Sequence, residues 1–212
     1  GEAALVVGHV GPNEKQPGRV ATNAVSLIQN GKIVATRTKT LLPTYDVFDE
    51  DRYFEPATEN APVEIGGRKL GLTICEDVWN DEDFWDDRRY RANPVESLVE
   101  AGAEILINIS ASPWHLGKNQ VRQAMLANTA TKVRRPLVYC NAVGGNDELI
   151  FDGGSLALDA EGQAIGQSPY FSEAVTLVEM EGPPVELAAP SDVAMLQDGL
   201  VLGVRDYLGK CG

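Results

Sequence analysis

A thiol backed by two acidic residues, Cys75-Glu76-Asp77, follows the short apolar run Arg68-Lys69-Leu70-Gly71-Leu72-Thr73-Ile74. A turn at the end of a buried strand exposes a sulfur, and the backbone N–H groups beyond it can stabilise an oxyanion. The same pattern also suits an inert core cysteine. A thiol is mostly protonated near neutral pH, so a nucleophilic role needs a base or a cation nearby. Only two histidines, His9 and His115, are present. Lysine and carboxylates must therefore supply that chemistry. Lys39, closing a predicted strand, and Glu50, in the acidic segment after it, are the candidates. By composition alone they also read as a solvated strand-end lysine and one more charge in an acidic loop.

The elements that must position these residues alternate between strand and helix, which predicts a layered α/β domain. Ala4 to Val10 reads as an interior strand. Asn23 to Gln29 and Lys32 to Thr38 flank Asn30-Gly31, a strong type I′ hairpin signal. Pro43 to Gly67 lacks periodicity and reads as a long functional loop. Beyond Cys75, Val95 to Ala101 is predicted helical and closed by Gly102, and Glu104 to Ile109 is predicted as a buried strand. Lys118 to Val133 carries helical spacing in Val121, Met125, Leu126 and Thr129. Leu137 to Ala142, Ser155 to Leu158, Ala164 to Gln167 and Ala174 to Met180 read as strands. Val193 to Lys210 reads as a helix with Ser191 or Asp192 as its N-cap. Cys140 is expected in the core, and Asp152 is expected in a glycine-rich turn.

The chain has 212 residues and a formal charge of −13, from 31 acidic and 18 basic side chains. Such a surface repels phosphate backbones, so no nucleic-acid partner is expected. No apolar run approaches the roughly 18 residues a membrane helix needs, so no membrane partner is expected either. Three widely spaced cysteines, Cys75, Cys140 and Cys211, show no zinc spacing and predict no disulfide framework, which suits a reducing cytoplasm. The opening Gly1-Glu2-Ala3-Ala4-Leu5 has no signal-peptide pattern and no initiator Met, and suggests a piece of a longer chain.

Two further segments complete a pattern. The first stretch is Lys39-x-x-Leu42-Pro43-x-Tyr45-x-x-Phe48-Asp49-Glu50-x-Arg52-Tyr53-Phe54, followed by Cys75-Glu76-Asp77-x-Trp79. The later ones run from Asn108 to Lys118, around Ser110-Ala111-Ser112-Pro113-Trp114, and from Tyr139 to Ser155, around Val143-Gly144-Gly145-Asn146. In this order the segments resemble the nitrilase-type carbon-nitrogen hydrolase superfamily. More narrowly, they resemble the glutaminase domain of glutamine-dependent NAD synthetases, over roughly residues 4 to 180. Leu200 to Gly212 resembles the first helix of the synthetase domain in that family, which leads on to an ATP-binding Ser-Gly-Gly loop.

The resemblance implies an α-β-β-α sandwich and a Cys-Glu-Lys amidase mechanism. Cys75 is implied as the nucleophile on the side-chain amide of glutamine, expelling ammonia and leaving a γ-glutamyl thioester for water to hydrolyse. Lys39 is implied beside the sulfur, favouring thiolate and stabilising the oxyanion. Glu50 is implied to position substrate and lysine. Tyr45, Phe48 and Ser112 are implied to line the glutamine pocket, and Lys118 to meet the α-carboxylate. The implied divisions are a partial glutaminase domain at 1–180, a linker at 181–192 and the start of a synthetase domain at 193–212. ATP and magnesium are expected in the remainder of that synthetase domain, with no cofactor or metal in this chain. Ammonia would pass to the synthetase, and a homo-oligomer is implied.

One departure accompanies the resemblance. The family's general-base glutamate stands at a strand end before the first hairpin, whereas only Glu2 and Glu14 precede Lys39 here, neither in that context. The opening strand resembles a later strand of the family's fold. Roughly the first third of the domain is therefore expected to be absent, and the chain is expected to be a weak catalyst. A free-standing amidase or carbamoylase of the same superfamily is the second reading, and an inactive fragment mediating assembly is the third.

Overall fold

The computed structural model describes residues 3–14, 17–85, 87, 89–188 and 190–212. The chain divides into two compact units, Gly1–Ile109 and Ser110–Gly212.

The first unit opens with an antiparallel sheet of β1 (Ala4–Pro12), β2 (Ala21–Gln29) and β3 (Lys32–Thr38), in the order β1-β2-β3. Asn30 and Gly31 both take left-handed backbone, with φ of 52° and 72°. That is the requirement of the type I′ turn, and it sets the register Gln29 opposite Lys32. β2 is the middle strand, and its Ala24, Val25, Ser26 and Leu27 are all buried. β1 pairs with β2 along one edge and leaves Leu5 and Val10 exposed, so the expectation of an interior strand is corrected. A continuous apolar run specifies a strand but not its place in the sheet.

The second sheet layer of this unit holds β4 (Val63–Ile65), β5 (Arg68–Ile74) and β6 (Ile105–Ser110). β5 pairs antiparallel with β4 and parallel with β6. β4 lies inside what the sequence suggests is a long loop. It forms because Gly66 and Gly67, both at positive φ, close a two-residue hairpin. Val25 and Leu27 of β2 pack against Val63, Leu72 and Ile74 of this layer, forming the core of the unit. The parallel β5–β6 pair requires a crossover, supplied by α1 (Pro94–Glu100). Asn93 caps that helix by accepting from Glu96 N at 3.3 Å, with Pro94 at the first helical position.

In the second unit, β7 (Leu137–Asn141), β10 (Leu156–Leu158) and β11 (Ala164–Gln167) pair antiparallel in the order β7-β10-β11. A separate hairpin, β8 (Val143–Asn146) with β9 (Leu149–Asp152), was not apparent from the sequence pattern. Helix α2 (Lys118–Val133) buries Arg122, Met125, Leu126, Thr129 and Ala130 on one face. Helix α3 (Asp192–Cys211) begins at Ser191, whose Oγ accepts from Ala194 N at 3.3 Å. Its Met195 and Leu202 pack with Phe171, against Trp114, Val143 and Ile150.

Three further expectations are corrected. Ala174 to Met180 is not a strand: Val175 and Leu177 are fully exposed, and no ladder pairs them among the described residues. Alternation of apolar residues cannot by itself supply a partner strand. Cys140 is exposed on β7 rather than buried, because its neighbours Tyr139 and Asn141 take the inward positions of the period-two pattern. Asp152 is not a turn residue but the fully buried end of β9.

Among the described residues no helix is long and apolar enough to cross a membrane. Among the described residues no group of three His, Cys, Asp or Glu side chains is placed to hold a metal ion.

Candidate active site

Cys75 stands at a corner. β5 ends at Ile74, and a 3-10 turn, Cys75–Val78, begins at once. Cys75 itself has φ of 44°, a left-handed conformation that costs an L-residue roughly 1–2 kcal/mol. Strain of this kind persists only where surrounding contacts hold it, and it concentrates at functional sites. The sharp turn leaves the thiol half-buried at the strand end. Asn108 of β6, fully buried, supports the corner. Its Nδ2 donates to Thr73 Oγ1 at 3.0 Å and to the Cys75 carbonyl at 3.4 Å.

Lys39 directly follows β3. Its backbone N donates to Asn23 O at 2.8 Å, and its carbonyl accepts from Ala57 N at 2.9 Å, so the main chain is fixed on both sides. The side chain is 1% exposed, and Nζ lies 2.6 Å from Glu50 Oε1. Glu50 opens a 3-10 turn, Glu50–Arg52, and its N donates to Pro43 O at 3.0 Å. Its second oxygen accepts from Asn23 Nδ2 at 3.1 Å. Asn23 therefore orients both members of the pair, a role that no local sequence signal announced.

Tyr45 and Phe48 flank a tight turn with Asp46 at φ 55°, and their rings meet edge to face at 6.0 Å. The Tyr45 hydroxyl donates to Glu76 Oε1 at 2.7 Å, and the Tyr90 hydroxyl donates to the same oxygen at 3.2 Å. Burial, then the hydrogen bond and charge of Glu76, push the Tyr45 phenol well above its ordinary value. Burial and the Glu76 charge do the same to Tyr90. Both phenols remain neutral donors to a buried carboxylate. The Arg89 guanidinium lies 3.8 Å from the centre of the Tyr45 ring. Glu76, one residue beyond the thiol, thus gathers two phenol donors on a single buried carboxyl oxygen.

Asp77 is buried, and its two oxygens accept three main-chain amides: Ile74 N at 3.0 Å, Thr40 N at 3.1 Å and Leu41 N at 2.9 Å. Burial raises its carboxyl to about 6, against the downward pull of the amide bonds and of Lys39. Trp79 stacks on Trp85 at 6.1 Å, closing the segment after the thiol by packing.

Two expected pocket residues fall in the second unit. Ser112 is buried and its N donates to Asn141 Oδ1 at 3.0 Å. Asn141 Nδ2 donates in turn to Asp152 Oδ1 at 3.1 Å and to Gly153 O at 3.0 Å. Asp152 accepts both arms of the Arg122 guanidinium, at 3.0 and 2.6 Å. Burial is the largest single influence and opposes the Arg122 charge, but Asp152 with Tyr139 and Tyr170 together outweigh it and hold the guanidinium above its ordinary value. Lys118, the first residue of α2, turns its Nζ onto Pro113 O at 2.7 Å. His115 is exposed. Of the acidic residues before Lys39, Glu14 is exposed beyond β1, and Glu2 lies outside the described residues.

Residues 2–183 match the carbon-nitrogen hydrolase family model. A glutamine-dependent NAD(+) synthetase of Synechocystis sp. is 43% identical over 219 aligned positions, which cover 99% of this chain and 39% of that protein. The structure of glutamine-dependent NAD+ synthetase from Acinetobacter baumannii in complex with ADP superimposes with a TM-score of 0.82 at 30% identity, over 99% of this chain and 38% of that one. An amidase from Nesterenkonia sp. AN1, bearing acrylamide added at its active-site cysteine, matches 79% of this chain and 59% of its own at 26% identity, with a TM-score of 0.62. The chain therefore spans less than two fifths of the synthetases it resembles. Its fold is the nitrilase-like α/β sandwich of mixed sheets and flanking helices. Match, fold and thiol corner agree: the chain belongs to the carbon-nitrogen hydrolase family.

Proposed function

We propose that this chain is the glutamine-hydrolysing part of a glutamine-dependent NAD synthetase. Cys75 attacks the side-chain amide carbon of glutamine as a thiolate, and the carbonyl oxygen takes up the negative charge. The Lys39 ammonium stabilises that oxyanion, a contribution of about 3–4 kcal/mol for one well-placed donor. Collapse breaks the C–N bond, the amide nitrogen takes a proton from water and leaves as ammonia, and a γ-glutamyl thioester remains. Water then hydrolyses the thioester to glutamate and frees the thiol. Glu50 keeps Lys39 aimed through the 2.6 Å contact between them. Tyr45 and Phe48 line the pocket, and the buried Glu76 carboxylate supplies the counter-charge for the α-ammonium of the amino acid. Ser112 and Lys118 are the proposed contacts to the remainder of glutamine, Lys118 having donors besides the one it gives Pro113 O.

The observation that carries this reading is the Asp77 carboxylate. It bonds the amide just before Cys75 and the two amides just after Lys39, so thiol and lysine belong to one built arrangement. The adduct at the active-site cysteine of the Nesterenkonia amidase supports the thiol as nucleophile. A broader amidase activity is the second reading. The buried anion at Glu76 favours an amino-acid amide over a simple aliphatic one.

On this proposal residues 181–192 are a linker and 193–212 begin a synthetase part that receives the ammonia. ATP and magnesium would act there, and no residue of this chain is assigned to them. A cytoplasmic homo-oligomer is part of the same proposal. A glutamine-like diazoketone tests the site. One covalent adduct on Cys75, lost in Cys75→Ser, is expected at saturating reagent, and no adduct overturns the reading. The gene beyond the Gly212 codon tests the synthetase assignment, since continuation into a Ser-Gly-Gly loop is expected and a stop codon refutes it.

A further inference from the structure

Asp77 is a costly residue for its position. It is 2% exposed, and an ionised carboxylate without compensation in such a place costs several kcal/mol. Its partners are neither substrate-facing groups nor surface cations but three main-chain amides on two separate segments. Oδ2 takes the Ile74 amide, immediately before the left-handed corner at Cys75. Oδ1 takes the Thr40 and Leu41 amides, immediately after Lys39.

These contacts join two segments that the rest of the fold anchors separately, the Lys39 main chain through Asn23 and Ala57 and the Cys75 corner through Asn108. The end of β5 must stop and reverse into the 3-10 turn, and the Ile74 bond closes that turn. The segment leaving β3 must present Lys39 inward rather than to solvent, and the paired Thr40 and Leu41 bonds hold its main chain there. We propose that Asp77 is a positioning residue that sets Lys39 against Cys75 by joining their two main-chain segments through one carboxylate. The inference rests on reading Cys75 as the nucleophile and Lys39 as its cation.

The chemistry of the side chain makes this testable. Asparagine has nearly the same shape but only one acceptor oxygen. If that oxygen faces Thr40 and Leu41, the NH2 group meets the Ile74 amide, donor against donor. If it faces Ile74, the Lys39 side loses its anchor. Either way Asp77→Asn uncouples the two segments while preserving packing volume. Asp77→Glu keeps the charge and the acceptor count but displaces the carboxylate by one methylene.

The experiment follows alkylation of Cys75 by iodoacetamide against pH, read by peptide mass spectrometry, with the exposed Cys140 and Cys211 followed in the same digest as references. Steady-state glutamine hydrolysis and the thermal midpoint are measured on the same samples. For folded Asp77→Asn, the alkylation midpoint is expected to rise by about one pH unit or more. In the same variant, kcat is expected to fall about tenfold or more, with KM changed less than about threefold. Lys39→Met should shift the midpoint in the same direction, and adding Asp77→Asn to it should shift it no further. A folded Asp77→Asn with the wild-type alkylation profile overturns the proposal. Should Asp77→Asn not fold, Asp77→Glu decides: a shifted midpoint with reduced kcat supports the proposal, and wild-type values refute it. Alkylation needs no glutamine, so absence of hydrolysis in wild type would count against the functional reading and leave this inference tested.

Discussion

Lys39 Nζ lies 2.6 Å from Glu50 Oε1 with 1% of the lysine side chain exposed and 17% of the glutamate. A lysine ammonium this deeply buried is present for its charge, since an apolar side chain would fill the space at lower cost.

Lys39→Met leaves the Glu50 carboxylate partly buried without its cation. A loss of about 3 kcal/mol in unfolding free energy is expected, toward the lower end for a broken buried pair because Glu50 retains Asn23 and some solvent. Urea unfolding measures it. Glutamine hydrolysis should fall about 100-fold or more, chiefly in kcat, as expected for a lost oxyanion donor. An unchanged kcat would remove Lys39 from the mechanism.

Tyr45→Phe removes the shorter of two hydroxyl bonds to the buried Glu76 carboxylate. Stability should drop by about 1–3 kcal/mol. On the proposed role of Tyr45 in lining the glutamine pocket, KM for glutamine should rise about tenfold with kcat nearly unchanged. A pure kcat effect would contradict this placement.

Arg122→Met strands Asp152, which is fully buried, and should cost about 3–5 kcal/mol. The double variant Arg122→Met with Asp152→Leu should recover part of that loss. Recovery is incomplete because Asn141 Nδ2 then lacks one of its two acceptors, and Asn141 also holds the Ser112 amide. Chemical denaturation of the two variants compares them, and equal losses would mean the carboxylate is not stranded.

Asp77 gives a pH dependence of stability. Its folded value is raised by burial to about 6 from an ordinary 3.8, so the folded chain retains a proton that the unfolded chain has released. The contribution to stability is therefore full below about pH 4 and declines as pH rises through about 6. The span corresponds to roughly 3 kcal/mol. Asp77→Asn has no proton to lose. The stability of wild type relative to Asp77→Asn should fall between pH 4 and 6.5 and then level off, measured by thermal melts at each pH. A flat difference would show that Asp77 does not titrate in that range.

Much of the fold was legible because local chemistry determines it. Asn30-Gly31 permits two left-handed residues in succession, so the hairpin and its register follow from two letters. Helix α2 follows from its spacing, and α3 from Ser191 ahead of a periodic run. The candidate residues Cys75, Lys39 and Glu50 were legible through residue type, scarcity of histidine and resemblance.

What the sequence by itself determined is the kind of chemistry available: a thiol, a lysine and carboxylates on an acidic α/β chain. The tertiary structure alone decided which charges are buried and what they hold. Asp77 and Glu76 are adjacent letters of one acidic run, yet one gathers three main-chain amides and the other two phenols. Asp152, in a glycine-rich stretch that suggested a turn, is the buried partner of Arg122 from a helix thirty residues earlier. Asn23 orients Lys39 and Glu50 across the sheet. In each case the deciding quantity is burial, which sets the cost of an unpaired charge. Burial depends on residues distant in the chain, so no window of sequence contains it.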